Sequence, residues 1–235
     1  MVTEPIDTDP SVDRASLPPF YAESEEPSHD IQFYIGCLSA GKTITAQTHY
    51  KRLAERNPDR PLLVVDPLGI WEFVDDLPEN CSRYAPDERL IDPIAADDEY
   101  IESIGVAAKE ALSEWSEQGE EAELFIDDAY LVLDALDLNA ELGSIGDKTL
   151  RLISSDYSIL REELEVEPAQ IHIHRIEDRE EICHLPLSEA EITYVLNVTT
   201  GDHLAPAGVL TLDHSGETTW ARCVLTDEEA NLLLD

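Results

Sequence analysis

Apolar and polar positions along this chain switch between a strand period and a helix period, and the switches mark its elements. Asp30 to Ile35 is a short β-favouring run that ends directly on Gly36, as a buried parallel strand does where it enters a loop. From Lys42 to Arg56 the apolar and small residues Ile44, Ala46, Tyr50, Leu53 and Ala54 share one helical face, and Asn57-Pro58 stops the run. Pro61 to Asp66 holds an unbroken apolar stretch, which predicts a strand covered on both sides. Strand, helix and strand make a βαβ unit.

Beyond Asp66-Pro67-Leu68-Gly69 the pattern predicts a short helical turn near Ile70 to Val74 and an irregular stretch holding Tyr84, Leu90 and Ile91. From Asp97 to Glu117, Ile101, Ile104, Ala107, Ala108, Ala111, Leu112 and Trp115 recur at helical spacing, and Gly119 closes the helix. Ala122 to Asp127 reads as another apolar strand, followed by a helical segment through Tyr130, Leu131, Leu133, Leu136 and Leu138. The chain turns around Gly143 to Gly146, and Thr149 to Ser155 predicts a further strand before a charged helix from Ser158 to Glu165. Ala169 to Ile176 alternates strictly, which predicts a strand near the sheet edge with His172 and His174 on a solvated face. Without a third ligand at matching spacing, the two histidines do not suggest a metal site. Ser188 to Glu191 has the spacing of a capping box and opens a helix through Ile192, Val195 and Leu196. Gly208 to Asp213 and Thr218 to Leu225 flank His214-Ser215-Gly216 as a terminal β-hairpin. Strands alternating with helices predict an α/β fold, a three-layer αβα sandwich around a mostly parallel sheet.

Composition divides the 235 residues into an acidic, Pro-rich arm over 1–28, pinned only by Phe20 and Tyr21, and one domain over 29–235. Charge is the unusual global property: 52 Asp and Glu face 15 Lys and Arg, for a net charge of −37. Such a surface repels itself and nucleic acid in ordinary salt, and molar salt shortens the Debye length to about 3 Å and removes most of that repulsion. The charge therefore predicts a halophilic cytoplasm. Cys37, Cys81, Cys183 and Cys223 are widely separated and form no CxxC pair, so reduced thiols are expected and a zinc knuckle is not. No apolar run reaches the ~18 residues of a membrane span, and the acidic start does not read as a signal peptide. A soluble, cytoplasmic protein is expected.

Gly36, Cys37, Leu38, Ser39, Ala40, Gly41, Lys42 and Thr43 match the Walker A pattern, between a predicted strand and a predicted helix. Such a loop wraps a polyphosphate because its backbone N–H groups and the positive end of the following helix face the anion. Lys42 would neutralise the β and γ phosphates of ATP, and the Thr43 hydroxyl would bind Mg²⁺. A second anionic partner for the metal comes from the end of the 122–127 strand, where Asp127 is placed for the Mg²⁺ shell and Asp128 for polarising the attacking water. The same acids could instead cap the following helix.

The extra strand from Leu62 to Asp66 between the two motifs, together with Asp128, points to the additional-strand, catalytic-acid class of P-loop ATPases. Motif order over Ile31 to Leu225 resembles the FtsK/HerA-like translocases and, in size, the genome-packaging ATPases of viruses. In those families a strand runs into an Asp-Pro-x-Gly turn followed by an aromatic or acidic residue, as at Asp66-Pro67-Leu68-Gly69-Ile70-Trp71. A polar sensor ends a later strand, where this chain has Ser155 and Asp156 and lacks the family's Arg-Pro. The turn at Ile173 to Asp178 and the glycine turn at Gly201-Asp202 also resemble the family. The resemblance implies a homo-oligomeric ring acting on double-stranded DNA, with a capsid or other protein partner. It also implies an arginine finger reaching a neighbour's nucleotide, for which Arg151, Arg161, Arg175 and Arg179 are candidates. No basic stripe accompanies these features, so an ATP-driven switch or assembly factor acting on a protein is the alternative.

Overall fold

A computed structural model of the chain describes residues 31–38, 40–86, 97–119, 121–142, 148–165, 167–196 and 208–222. The arm over 1–28, Ser39, Leu90 and Ile91, the 143–146 turn, Gly201-Asp202 and the last residues of the predicted hairpin lie outside them.

Eight strands form one sheet: β1 (Ile31–Ile35), β2 (Leu62–Val65), β3 (Cys81–Tyr84), β4 (Glu123–Ile126), β5 (Thr149–Ser154), β6 (Gln170–Ile173), β7 (Gly208–Asp213) and β8 (Thr218–Arg222). Their order is β3-β2-β4-β5-β1-β6-β7-β8. The first six are parallel, and β7 and β8 close one edge as an antiparallel hairpin. The helices are α1 (Lys42–Arg56), α2 (Asp98–Glu117), α3 (Ala129–Ala135), α4 (Leu138–Leu142), α5 (Tyr157–Glu163) and α6 (Glu189–Val195).

Alternate residues of each strand feed two separate cores. Tyr34, Leu62, Val64, Phe125 and Ile153 pack with Ala46, Tyr50, Leu53 and Ala54 of α1. Phe33, Ile35, Leu63, Val65, Leu124, Ile126 and Leu152 pack on the other side with α2, α3, α5 and α6 through Ile104, Trp115, Val132, Leu160 and Ile192. This is the three-layer αβα arrangement that the alternation of elements predicts.

Caps fix where helices begin. The Asp97 carboxylate accepts the Tyr100 N–H at 2.9 Å at the start of α2. At α6 the capping box is complete: Ser188 Oγ accepts the Glu191 N–H at 3.3 Å, and the Glu191 carboxylate accepts the Ser188 N–H at 2.6 Å.

Several elements differ from the sequence reading. The stretch read as irregular contains β3, an edge strand whose four residues are all half-buried and carry no apolar alternation. The helix read through Tyr130 to Leu138 breaks at Leu136, whose backbone is extended, and resumes as α4. Strand β6 is interior, because β7 and β8 add on its outer side. His172 and His174 are accordingly 2% and 0% exposed, not on a solvated face. Their side of β6 is an internal polar layer: with Nε2 of His172 3.2 Å from the Gln32 carbonyl oxygen, its Nδ1 accepts the Thr211 hydroxyl at 2.9 Å.

Candidate active site

The C-terminal ends of the parallel strands gather at one rim, the usual place for a ligand in an open α/β sheet. β1 delivers Gly36, β2 delivers Asp66, β4 delivers Asp127, β5 delivers Ser154 and β6 leads to His174 and Arg175.

The loop after β1 is built against the end of β6. The Cys37 N–H donates to the Arg175 carbonyl at 2.8 Å. Gly36 has φ +152°, and a Cβ there would lie 2.8 Å from His174 Cβ and 2.9 Å from the Arg175 carbonyl oxygen, so only glycine fits. Gly41, at φ 88°, turns the chain into α1. Lys42, only 7% exposed, lays its ammonium on the Cys37 carbonyl at 2.9 Å, across the loop's own mouth. Burial, with the Lys42 charge second, pushes His174 down to about 3 and keeps the ring neutral beneath the loop.

Asp127 stands opposite. Its Oδ1 accepts the Thr43 hydroxyl at 3.2 Å and the Asp128 N–H at 3.0 Å, and its Oδ2 accepts the Trp71 indole N–H at 2.8 Å. Trp71 is brought there by the Asp66 turn. The Asp66 carboxylate accepts the Ile70 N–H at 3.0 Å, the Trp71 N–H at 2.9 Å and the Arg83 guanidinium at 3.1 Å, which folds the chain back over β4. Tyr100 ties the same turn down by donating to the Pro67 carbonyl.

Asp128 is the one non-glycine with positive φ among the described residues, at φ 41° and ψ 50°. Aspartate tolerates this left-handed conformation better than most side chains. No side-chain cap is made onto α3, so the capping alternative for Asp128 is not what the carboxylate does. Burial, then the neighbouring Asp128 charge, raises the Asp127 carboxyl, and the Trp71 hydrogen bond opposes the rise. Burial also raises Asp128, against the pull of the Lys42 ammonium. A carboxylate held above its usual range is a better proton acceptor near neutral pH.

Other residues singled out in the sequence fall in different places. Ser39 lies outside the described residues; Ala40 is buried, and Leu38 points outward at 64% exposure. Ser155 follows β5, whose Ser154 pairs with Ile35 of β1, so it sits at the rim beside the loop. The Asp156 carboxylate is engaged as the cap of α5, accepting the Ile159 N–H at 3.2 Å and the Ser158 hydroxyl at 2.6 Å. Arg151 is 4% exposed and paired with Glu123 at 2.8 Å beneath α1, so it cannot reach another subunit and leaves the set of arginine-finger candidates. Arg161, Arg175 and Arg179 are each partly exposed and paired with Glu162, Glu177 and Glu189. Arg175 lies nearest the loop, with its guanidinium within reach of the Cys37 thiol.

Solved structures share this fold. VirB4 of Thermoanaerobacter pseudethanolicus superposes with a TM-score of 0.55 at 11% identity, over 84% of this chain and 90% of that one. The chain shares that fold, an αβα sandwich around a mostly parallel sheet. B204, the DNA-packaging ATPase from Sulfolobus Turreted Icosahedral Virus, is also similar, at TM-score 0.49 and 16% identity over 85% of this chain and 100% of that one. So is the genome-packaging NTPase B204 from Sulfolobus turreted icosahedral virus 2 in complex with ATP-gammaS, at TM-score 0.47 and 16% identity over 85% and 100%. The sequence matches no protein-family model and no curated protein. No helix among the described residues is long and apolar enough to cross a membrane.

Of the residues at this rim, Gly36 to Thr43 and the two acids were singled out by their motif pattern in the sequence. Trp71 was noted only as the aromatic that follows the Asp66 to Gly69 turn, with no part for its N–H, and Arg83 was not singled out, because a short polar strand carries no spacing rule.

Proposed function

We propose that the chain hydrolyses ATP with Mg²⁺ as one subunit of a homo-oligomeric motor that moves double-stranded DNA, by translocation or by packaging a genome into a capsid. The observation that carries the hydrolytic part is the meeting of Lys42, Thr43, Asp127 and Asp128 across the ends of β1 and β4. β5 lies between those two strands, which supports the additional-strand, catalytic-acid reading. The DNA part rests on the order of motifs and the Asp66-Pro67-Leu68-Gly69 turn.

No group of three or more His, Cys, Asp and Glu side chains suited to a metal is found among the described residues. Mg²⁺ fits regardless, because it takes one or two protein oxygens and completes its shell with phosphate oxygens and water. Thr43 and Asp127, already 3.2 Å apart, are the residues that would hold it. Once bound, Mg²⁺ supplies positive charge against the phosphate oxygens. The chain's own residues do the rest: loop N–H groups orient the phosphates, Lys42 draws charge from the β and γ groups, and Asp128 accepts the proton of the water that attacks the γ-phosphorus.

Lys42→Ala tests the nucleotide site. Loss of a charge-assisted hydrogen bond of about 1.5–3 kcal/mol should weaken ATP binding by about 10- to 150-fold. Calorimetry with a non-hydrolysable analogue measures this, and an unchanged affinity would place the nucleotide elsewhere.

A second reading, an ATP-driven switch acting on a protein partner, is favoured by the pairing of Arg161, Arg175 and Arg179 with glutamates and by the charge of −37. Duplex DNA should raise the ATPase rate in molar KCl, where acidic self-repulsion is screened over about 3 Å. Intact hydrolysis that no DNA stimulates would move the assignment to the protein partner. A rate that rises with KCl even without DNA would accord with a halophilic setting.

A further inference from the structure

The Asp66 turn does more than connect two strands. Trp71 is fully buried, in a ring cage of Tyr50, Phe73 and Phe125 with centroids 5.6, 5.8 and 6.0 Å away. Its backbone N–H is held by the Asp66 carboxylate, which is itself braced by Arg83. Clamped at both backbone and ring, the indole has one polar atom, and that atom donates to Asp127 Oδ2 at 2.8 Å. Oδ1 is left facing Thr43. Trp115 and Trp220 take no part: the first donates to the Ala122 carbonyl at 3.1 Å, and the second packs on Tyr194.

We infer that Trp71 is a positioning residue for the metal–nucleotide site, fixing the Asp127 carboxylate so that Oδ1, and not Oδ2, is presented beside Thr43. A carboxylate with one oxygen tied to a rigid donor loses the rotation about its χ angles that a free one keeps, and partners of this kind commonly govern how tightly a ligating side chain holds its ion. Asp66 and Arg83 act one step further out, through Trp71. The inference rests on the ATPase reading of this site.

The test is calorimetric titration of the full chain with a non-hydrolysable ATP analogue, in EDTA and across a series of Mg²⁺ concentrations, for wild type and Trp71→Phe. Phenylalanine keeps a ring in the cage and removes the donor. Affinity in EDTA should stay within about twofold, while the Mg²⁺ concentration giving half-maximal tightening should rise about 10- to 100-fold. A merely structural role would instead shift both affinities together or lower the unfolding midpoint alone. Should Trp71→Phe unfold at the assay temperature, benzothienylalanine at position 71, where sulfur replaces N–H in the same bicyclic frame, removes the donor with the shape kept. A folded variant whose Mg²⁺ response matches wild type overturns the role of the indole. Wild-type protein that binds the analogue equally with and without Mg²⁺, or not at all, overturns the site reading on which the inference stands.

Discussion

Asp128→Asn is expected to bind ATP as wild type does and to hydrolyse it about 10²- to 10⁴-fold more slowly, the range a positioned general base contributes. Asparagine is nearly isosteric with aspartate and shares its tolerance of the left-handed backbone found here at φ 41°. The turn between β4 and α3 should therefore keep its shape, and the backbone N–H that Asp128 donates to Asp127 is retained. Only the proton acceptor is lost. The Lys42 ammonium would face a neutral amide in place of a carboxylate, so nucleotide affinity should hold or rise slightly, because one negative charge near the phosphates is gone. Single-turnover phosphate release together with equilibrium binding separates the two effects. A wild-type rate from the folded variant would hand the water to another group, and the assignment of Asp128 as base would fail.

That prediction could be framed from the sequence, because the features behind it are local. Gly36 to Thr43 follow a spacing rule whose cause is the backbone of one loop, and Asp127-Asp128 follow an apolar strand. The structure added a reason for Gly36 that spacing does not contain, the close approach of His174 and Arg175 from a strand over 130 residues away in sequence. Elements with strong periodicity, such as α2 and the capping box at α6, were equally legible. What failed were features fixed by neighbours. Cys81 to Tyr84 carries no apolar alternation, and it is a strand because β2 offers it a parallel edge. The alternation of β6 looks like one solvated face, yet β7 adds along its outer edge and Tyr34 packs against His172 and His174, so that side becomes a buried polar layer. Trp71 reads as the aromatic that follows the Asp66 to Gly69 turn, and nothing in that pattern says that its N–H reaches Asp127. Arg151 looks like any exposed arginine of a charged chain, whereas its partners Glu123 and Gln32 come from the strands on either side of β5.

Those partners lead to the largest expected effect on stability. Glu123 is 1% exposed and accepts Arg60 at 2.6 Å on one oxygen and Arg151 at 2.8 Å on the other. From Arg151 the hydrogen bonds continue to Gln32, then His172, then Thr211, crossing β4, β5, β1, β6 and β7 in their spatial order. Glu123 is the one anion in this line, placed between two guanidiniums that are 5% and 4% exposed. Glu123→Ala removes it and leaves both cations in a layer with little water. Breaking a buried pair from one side costs about 3–5 kcal/mol, because the remaining charge keeps its desolvation penalty and loses its compensation. Urea unfolding at fixed KCl should show a loss of that size, against the 5–15 kcal/mol or so that a domain has in total. Glu123→Gln keeps the shape and one acceptor oxygen and should lose less. If Glu123→Ala unfolds within about 1 kcal/mol of wild type, water must reach Arg60 and Arg151, and the layer is not the dry one its burial implies. The ladder lies at the opposite end of β4 from Asp127, so a folded Glu123→Gln should keep wild-type nucleotide affinity, which separates a loss of stability from damage to the site.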